Sequence, residues 1–274
     1  MIVSSSTAPS RPVSSPTPPA HGRFVWHELL ARDPSKAIAF YPAVCGWTVS
    51  AMSVPEGAGT YTMFNKGDAG QGGLTAYPAD KLAAGALATW MPYLGTDDAD
   101  ATCREAISLG GTLHMSPTDT PTVGRIAVLA DPEGVQFAII APARNGQQET
   151  VPGSGEFAWH EMLATDPVAA FDFYSRLFGW EKTDAMDMGS SGIYQMFGRG
   201  AFTYGGFMRR SPETQRAMWN CYVRVDDLDA SCAAIEGNGG RIVMGPHPVP
   251  NDERIVLAVD DQGALFSLVS KITR

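Results

Sequence analysis

The segment GRFVWHELLARDPSKAIAFYPAVCGW, residues 22–47, returns at 155–180 as GEFAWHEMLATDPVAAFDFYSRLFGW, with 14 of 26 positions identical at a constant offset of 133. A repeat of this length fixes the architecture before any single element is read. The register continues: Tyr61-Thr62-Met63-Phe64 answers Tyr194-Gln195-Met196-Phe197, and Gly72-Gly73 answers Gly205-Gly206. After a four-residue length change the offset becomes 129. Trp90 then pairs with Trp219, Tyr93 with Tyr222, Asp97-Asp98 with Asp226-Asp227, Gly110-Gly111 with Gly239-Gly240, and Arg125 with Arg254. Two homologous domains follow, 22–142 and 155–271. A polar, Gly- and Pro-bearing linker at 143–154 joins them, and a Ser/Pro-rich tail at 1–21 lacks the apolar content to fold.

Each domain divides again. FVWHELLA is rich in aromatic and β-branched residues and reads as a strand. Asp33-Pro34 opens a helix, Asp as N-cap and Pro at the first helical position, with Gly46 suited to its end. Pro42 sits awkwardly within it, because it supplies no backbone donor. Short strands follow near 48–53, 60–65 and 72–77. The second half repeats the order: strand TWMPYLGT, a helix capped by Asp98 or Asp100, then strands near 112–115, 125–130 and 135–141. The unit is βαβββ, four times over. The fold class expected is α+β: modules paired into two tandem curved sheets, helices on the outer face and a cup on the inner.

A formal net charge of −9 opposes a nucleic-acid or anionic-membrane partner, since phosphate binding needs a basic face. The tail has no apolar core of the kind a secretory signal needs. The four cysteines, Cys45, Cys103, Cys221 and Cys232, form no CxxC pair. A cytoplasmic protein with reduced thiols is expected, acting on a small molecule as a monomer or homodimer.

The quoted motifs, with WMPYLGTDDADA…GG…DPEGVQFAI and WNCYVRVDDLDA…GG…DDQGALFSL, resemble the vicinal oxygen chelate superfamily of glyoxalases, bleomycin-resistance proteins and extradiol dioxygenases. The resemblance spans nearly all of 22–270 and is nearest the two-domain branch labelled "hydroxylase" in bacteria. It implies a cup that in catalytic members holds one divalent metal on His or Glu. By register those ligand positions fall on Trp26, Met91 and Ala138 in the first domain and on Trp159, Asn220 and Ser267 in the second. None is a good ligand for a hard divalent ion. A one-residue shift brings in His27 and His160, but no second imidazole or carboxylate joins either within its own domain. HELLA is no zincin motif either, since Ala31 and Ala164 stand where its second histidine belongs. No metal site and no cofactor are therefore expected, a divalent metal remaining the minority alternative.

Strand alternation divides the repeated Trp-His-Glu. Phe24, Trp26, Glu28 and Leu30 share one face, identical in the second copy and suited to the cup. Val25, His27, Leu29 and Ala31 share the other, suited to packing beneath the helix, with the histidines as hydrogen-bonded core groups. Glu28 and Glu161 are the candidate catalytic groups, because a carboxyl beside tryptophan on a dry floor acquires the raised pKa a general acid or base needs. The alternative is a structural ion pair with Arg125 or Arg254. Trp26, Met91, Tyr93, Trp159, Asn220, Tyr222 and Arg224 are the candidate ligand-binding residues; the Met91/Asn220 and Gly95/Arg224 differences make the cups inequivalent. Three readings stay open: metal-free turnover of an apolar or aromatic metabolite, sequestration without turnover, and metal-dependent glyoxalase or dioxygenase chemistry.

Overall fold

The computed structural model describes residues 20–53, 60–143, 150–212 and 214–272. Most of the expected tail and linker, 1–19 and 144–149, lies outside them.

Residues of the first repeat form an eight-stranded sheet in the order β2-β3-β4-β1-β5-β8-β7-β6, and the second repeat forms β10-β11-β12-β9-β13-β16-β15-β14. In the first sheet β1 (Phe24–Ala31), β2 (Thr48–Ser53), β3 (Thr60–Lys66) and β4 (Ala69–Ala76) make one module. The other module comprises β5 (Thr89–Gly95), β6 (Thr112–Thr120), β7 (Gly124–Ala130) and β8 (Gln136–Pro142). The modules meet where β1 pairs antiparallel with β5. In the second sheet β9 (Phe157–Ala164) meets β13 (Met218–Arg224) in the same way. Around them lie β10 (Glu181–Asp187), β11 (Ile193–Arg199), β12 (Phe202–Arg209), β14 (Arg241–Val249), β15 (Glu253–Val259) and β16 (Leu265–Lys271).

Helix α1 (Pro34–Cys45) begins as the sequence dictates: the Asp33 carboxylate accepts from the backbone N–H of Ser35 and Lys36. It ends at Gly46, whose φ of 66° is left-handed and favours glycine. Asp166 and Gly179 perform the same tasks for the homologous α4 (Pro167–Phe178). Asp98 caps α3 (Ala99–Ser108) and Asp227 caps α5 (Leu228–Gly237). A short α2 (Ala79–Ala83) has no counterpart in the sequence reading. The edge strand β6 runs beyond its expected end through Pro117, a residue an edge tolerates because no neighbour needs its missing donor.

Helices α1, α3, α4 and α5 do not cover a free outer surface: they fill the space between the two sheets. α1 packs on α5 of the other repeat, and α3 on α4. One core joins Leu29, Phe40, Tyr41, Trp47, Phe64 and Trp90 of the first repeat to Leu228, Ile235, Val256 and Phe266 of the second. The other joins Leu129, Phe137 and Ile139 to Phe173, Tyr174, Trp180 and Trp219. Reciprocal hydrogen bonds lock the pairing. Tyr41 donates to Asp260 and Tyr174 to Asp131, both at 3.1 Å. Trp90 and Trp219 donate in turn to those tyrosine hydroxyls. Trp47 donates to the carbonyl of Gly155 at 2.7 Å, and Trp180 to that of Gly22 at 2.6 Å.

Alternation along β1 fails at one point. A bulge between Phe24 and Trp26 turns Phe24 out of the cup, where parity had placed it, and into the seam. There it stacks on His160 with ring centroids 3.6 Å apart. Phe157 does the same to His27.

Because each core is built from both repeats, the chain should unfold in one calorimetric transition. Phe137→Ala, which removes a fully buried ring facing α4 across the seam, should cost about 3–5 kcal/mol. It should lower the single transition without splitting it; two separable transitions would show that the repeats fold independently.

Candidate functional site

The concave face of the first sheet is built on β1, β3, β4 and β5. Beyond the bulge, alternation carries Trp26 and Glu28 to that face and His27 and Leu29 to the seam. Glu28 is 3% exposed. Its Oε1 accepts from the Thr75 hydroxyl at 2.5 Å, and its Oε2 from the Tyr61 hydroxyl and, at 3.4 Å, from the Trp26 indole N–H. The indole also donates to Tyr61 at 3.1 Å. Burial pushes the Glu28 pKa up, while the three donors draw it partly back. Burial and then the nearby Glu28 charge raise Tyr61 and Tyr93. Gly73 lies opposite Glu28 on β4, and a Cβ there would collide with the Tyr61 hydroxyl and the carboxylate. The glycine pair is thus a close-approach device.

The second cup repeats the plan with different partners. Glu161 Oε2 accepts from the Asn220 amide and the Tyr222 hydroxyl, both at 3.2 Å, and Tyr194 bonds the same carboxyl. Asn220 and Ser267 bond each other and are fully buried. Trp159 donates to Tyr194 at 2.7 Å. Burial again lifts the carboxyl above its ordinary range.

The candidate ligand-binding residues gather around the two glutamates except Arg224, which pairs with Glu253 at 2.7 Å. Tyr61, Thr75 and Tyr194 were missed as partners. Tyr61 and Tyr194 had a signal, since each opens the repeated Tyr-x-Met-Phe; Thr75 had none, for the second copy has Met208 there. The proposed ion pairs are overturned. Arg125 binds Asp100 at 2.7 Å and Asp119 at 3.1 Å, and Arg254 binds Asp229 at 2.8 Å. The reason is parity: Arg125 shares the helix-side face of β7 with the core residues Ala127 and Leu129.

The histidines lie on the seam side as alternation required, but their partner is each other. His27 Nε2 and His160 Nε2 are 2.8 Å apart, and the rings are within 11° of parallel. Burial lowers both pKa values, His160 to about 3, so both are neutral.

A family model described as the Glyoxalase/Bleomycin resistance protein/Dioxygenase superfamily matches residues 23–139 and 157–268. The chain belongs to that superfamily. It is 28% identical to the putative glyoxylase CFP32 of Mycobacterium tuberculosis (strain CDC 1551 / Oshkosh), over 89% of this chain and 93% of the relative. It is 30% identical to the anthracycline biosynthesis protein DnrV of Streptomyces peucetius, over 91% of this chain and 94% of that one. In fold it is similar to a 4-hydroxymandelate synthase variant from Streptomyces coelicolor, with TM-score 0.64, 12% identity, and 91% and 92% of the two chains covered. The Mn(II)-bound glyoxalase from Novosphingobium aromaticivorans gives TM-score 0.59 and 16% identity, over 93% and 83%.

The superfamily's divalent metal does not suit the donors of these cups. Around Glu28 stand two hydroxyls, an indole N–H and, opposite on β5, the Met91 thioether. Around Glu161 stand hydroxyls and an amide whose N–H faces the carboxylate. Indole and amide N–H groups donate hydrogen bonds and cannot ligate a cation. The one compact His/Cys/Asp/Glu triad among the described residues lies on the opposite face of the sheets.

A raised folded-state pKa means the folded chain holds the Glu28 proton more tightly than the unfolded chain does. Its stabilising contribution is full below pH ~4.5 and is lost as pH rises through the folded pKa. Glu28→Gln should therefore become more stable relative to the parent as pH climbs from 4 to 8 in urea titrations. A parallel pair of stability curves would contradict the raised pKa.

Proposed function

We propose that the first cup binds a largely apolar, aromatic small molecule and that Glu28 transfers a proton on it without a metal. The observation that carries the reading is a nearly buried carboxyl, raised in pKa, set against Trp26 and Tyr61. Trp26, Tyr61 and Tyr93 supply flat half-buried walls, and Met63 and Met91 a pliable lining. The reaction is proton abstraction from a carbon next to a carbonyl. The Glu28 carboxylate takes the proton, the C–H electron pair moves toward the carbonyl, and Tyr93 donates a hydrogen bond to the oxygen as charge builds there. Where a C=C bond adjoins that carbon, the enolate electrons return through it to its far end, which takes the proton back from Glu28; the C=C bond shifts by one position and the two proton transfers balance.

The second cup is the structural one in this reading. Tyr222 is 3% exposed and donates to Glu161, whereas its counterpart Tyr93 is half-buried, so only the first cup presents a phenol to a ligand oxygen. Arg224 is already neutralised by Glu253. No metal is required for this chemistry, and the donor set of the cups supports its absence from the mechanism. The relatives named for glyoxylase and for anthracycline biosynthesis support a small carbonyl-bearing or polycyclic ligand.

A second reading, sequestration without turnover, is favoured by the aromatic residues common to both cups, Trp26 and Tyr61 answering Trp159 and Tyr194. No helix among the described residues is long and apolar enough to cross a membrane, and the four cysteines are free, which supports a reducing cytoplasmic setting. The mutual burial of the helix faces supports a monomer.

Thermal-shift screening against aromatic ketones and polyketides should find the ligand. Glu28→Gln should then reduce turnover by about 10²-fold or more while changing affinity only a few-fold. Glu161→Gln should leave kcat within about threefold. Binding by the parent with no turnover selects sequestration. Near-stoichiometric manganese, iron, nickel or zinc, whose removal abolishes turnover, would overturn the metal-free mechanism.

A further inference from the structure

Within either repeat the histidine of Trp-His-Glu lacks the partners of a metal site, but the seam brings the two copies together. His27 Nε2 and His160 Nε2 meet at 2.8 Å, and Cys221 stands opposite His160 on β13. The three ligating atoms lie within 4.8 Å of one another, and all three residues are buried. We infer that His27, His160 and Cys221 form a three-coordinate site for a soft monovalent ion, Cu(I), between the repeats.

Ligand number, charge and orientation all select that ion. Structural zinc is held by four ligands, and the cluster offers three. Two neutral imidazoles and one thiolate around a divalent ion leave a net positive charge between Phe24 and Phe157, at the desolvation cost of an unpaired buried ion. Around a monovalent ion the sum is zero. Thiolate suits Cu(I), zinc and iron–sulfur clusters, and of these Cu(I) is the monovalent ion that leaves the site neutral. His160 Nδ1 faces the Tyr204 carbonyl at 3.3 Å, which fixes the proton there and leaves Nε2 a lone pair pointing at the cluster centre. The phenyl rings stacked on each imidazole hold both planes nearly parallel.

The rearrangement needed is small. Metal–ligand bonds of ~2.0–2.3 Å place three donors ~3.5 Å apart around a planar centre, so the imidazoles slide apart by under ~1 Å while the sulfur closes in. Without the ion, a proton on His27 Nε2 bridges the two rings. On binding, that proton moves to His27 Nδ1 and the Cys221 thiol proton leaves. One cation enters and one proton departs, with no change in oxidation state. The site has no twin, because Pro92 stands opposite His27 where Cys221 stands opposite His160.

The test is anaerobic titration of the full chain, as folded and after refolding, with Cu(I) held by bathocuproine disulfonate as competitor. One ion per chain is expected. X-ray absorption should show two nitrogens and one sulfur, and two-buffer calorimetry one proton released. Cys221→Ala should weaken binding at least tenfold, while Cys232→Ala, which removes the partly exposed thiol outside the cluster, should not. Thermal denaturation checks that both variants fold, and the absorption spectrum of the parent decides the case should Cys221→Ala not fold. Failure to compete for Cu(I) in either preparation, a sulfur-only spectrum, loss on Cys232→Ala, or preference for Zn(II) would overturn the site.

Discussion

The arrangement depends on one reciprocal contact: a tyrosine in the first helix of each repeat donating to an aspartate in a tight turn of the other. Tyr41 reaches Asp260 and Tyr174 reaches Asp131. Burial lifts Asp131 to about 6, against the pull of backbone N–H groups from Val135 and Glu133 and of the Tyr174 hydroxyl. Each carboxylate orders its own turn through those backbone donors and fixes the other repeat's helix through the phenol. Turn geometry and repeat pairing are therefore one constraint. The Trp90 and Trp219 indoles complete each tyrosine hydroxyl, so these phenols are satisfied and the large aromatic cores can close around them.

Covering both helix layers at once commits those faces of the sheets to the core. With the helix-bearing faces buried against each other, the proposed function assigns the ligand to the opposite strand face, where Trp26 and Glu28 stand. Mutual satisfaction also frees the cups to diverge. Seam residues are held by partners in the other repeat, whereas Met91 and Asn220, or Ala138 and Ser267, answer only to neighbours in their own sheet. The floors differ: Asn220 and Ser267 bond each other beside Glu161, while the methionine and alanine at those positions of the first cup offer Glu28 no donor, so its donors come from Trp26, Tyr61 and Thr75.

The repeat, the βαβββ order, the caps at Asp33 and Asp166 and the free cysteines were legible because each rests on local chemistry or on self-comparison. The face assigned to Glu28 was legible because two-residue periodicity holds from Trp26 onward. Phe24 was not, since a bulge of one residue reverses parity and leaves no mark in the composition. An ion pair of Glu28 with Arg125 reads as an alternative because both recur, yet recurrence cannot distinguish the two sides of a sheet, and alternation from Ala127 puts Arg125 on the side of Asp100. The aspartates of the two turns read as turn residues only, because their role spans a distance in sequence of 219 residues in one case and 43 in the other.

The same limit explains the histidines. Examined one repeat at a time, His27 and His160 are each a lone imidazole on an apolar face, and a core role follows. Only the pseudo-twofold seam turns a repeated residue into a pair, because a position near the axis meets its own copy. Any residue duplicated at that position becomes a two-residue site without further change in sequence. What breaks the symmetry is the neighbouring strand, with Pro92 on one side and Cys221 on the other. Proline offers no ligating atom, and cysteine offers one. Duplication thus supplied matched imidazoles at the seam, and a single difference on β13 gave them a third donor.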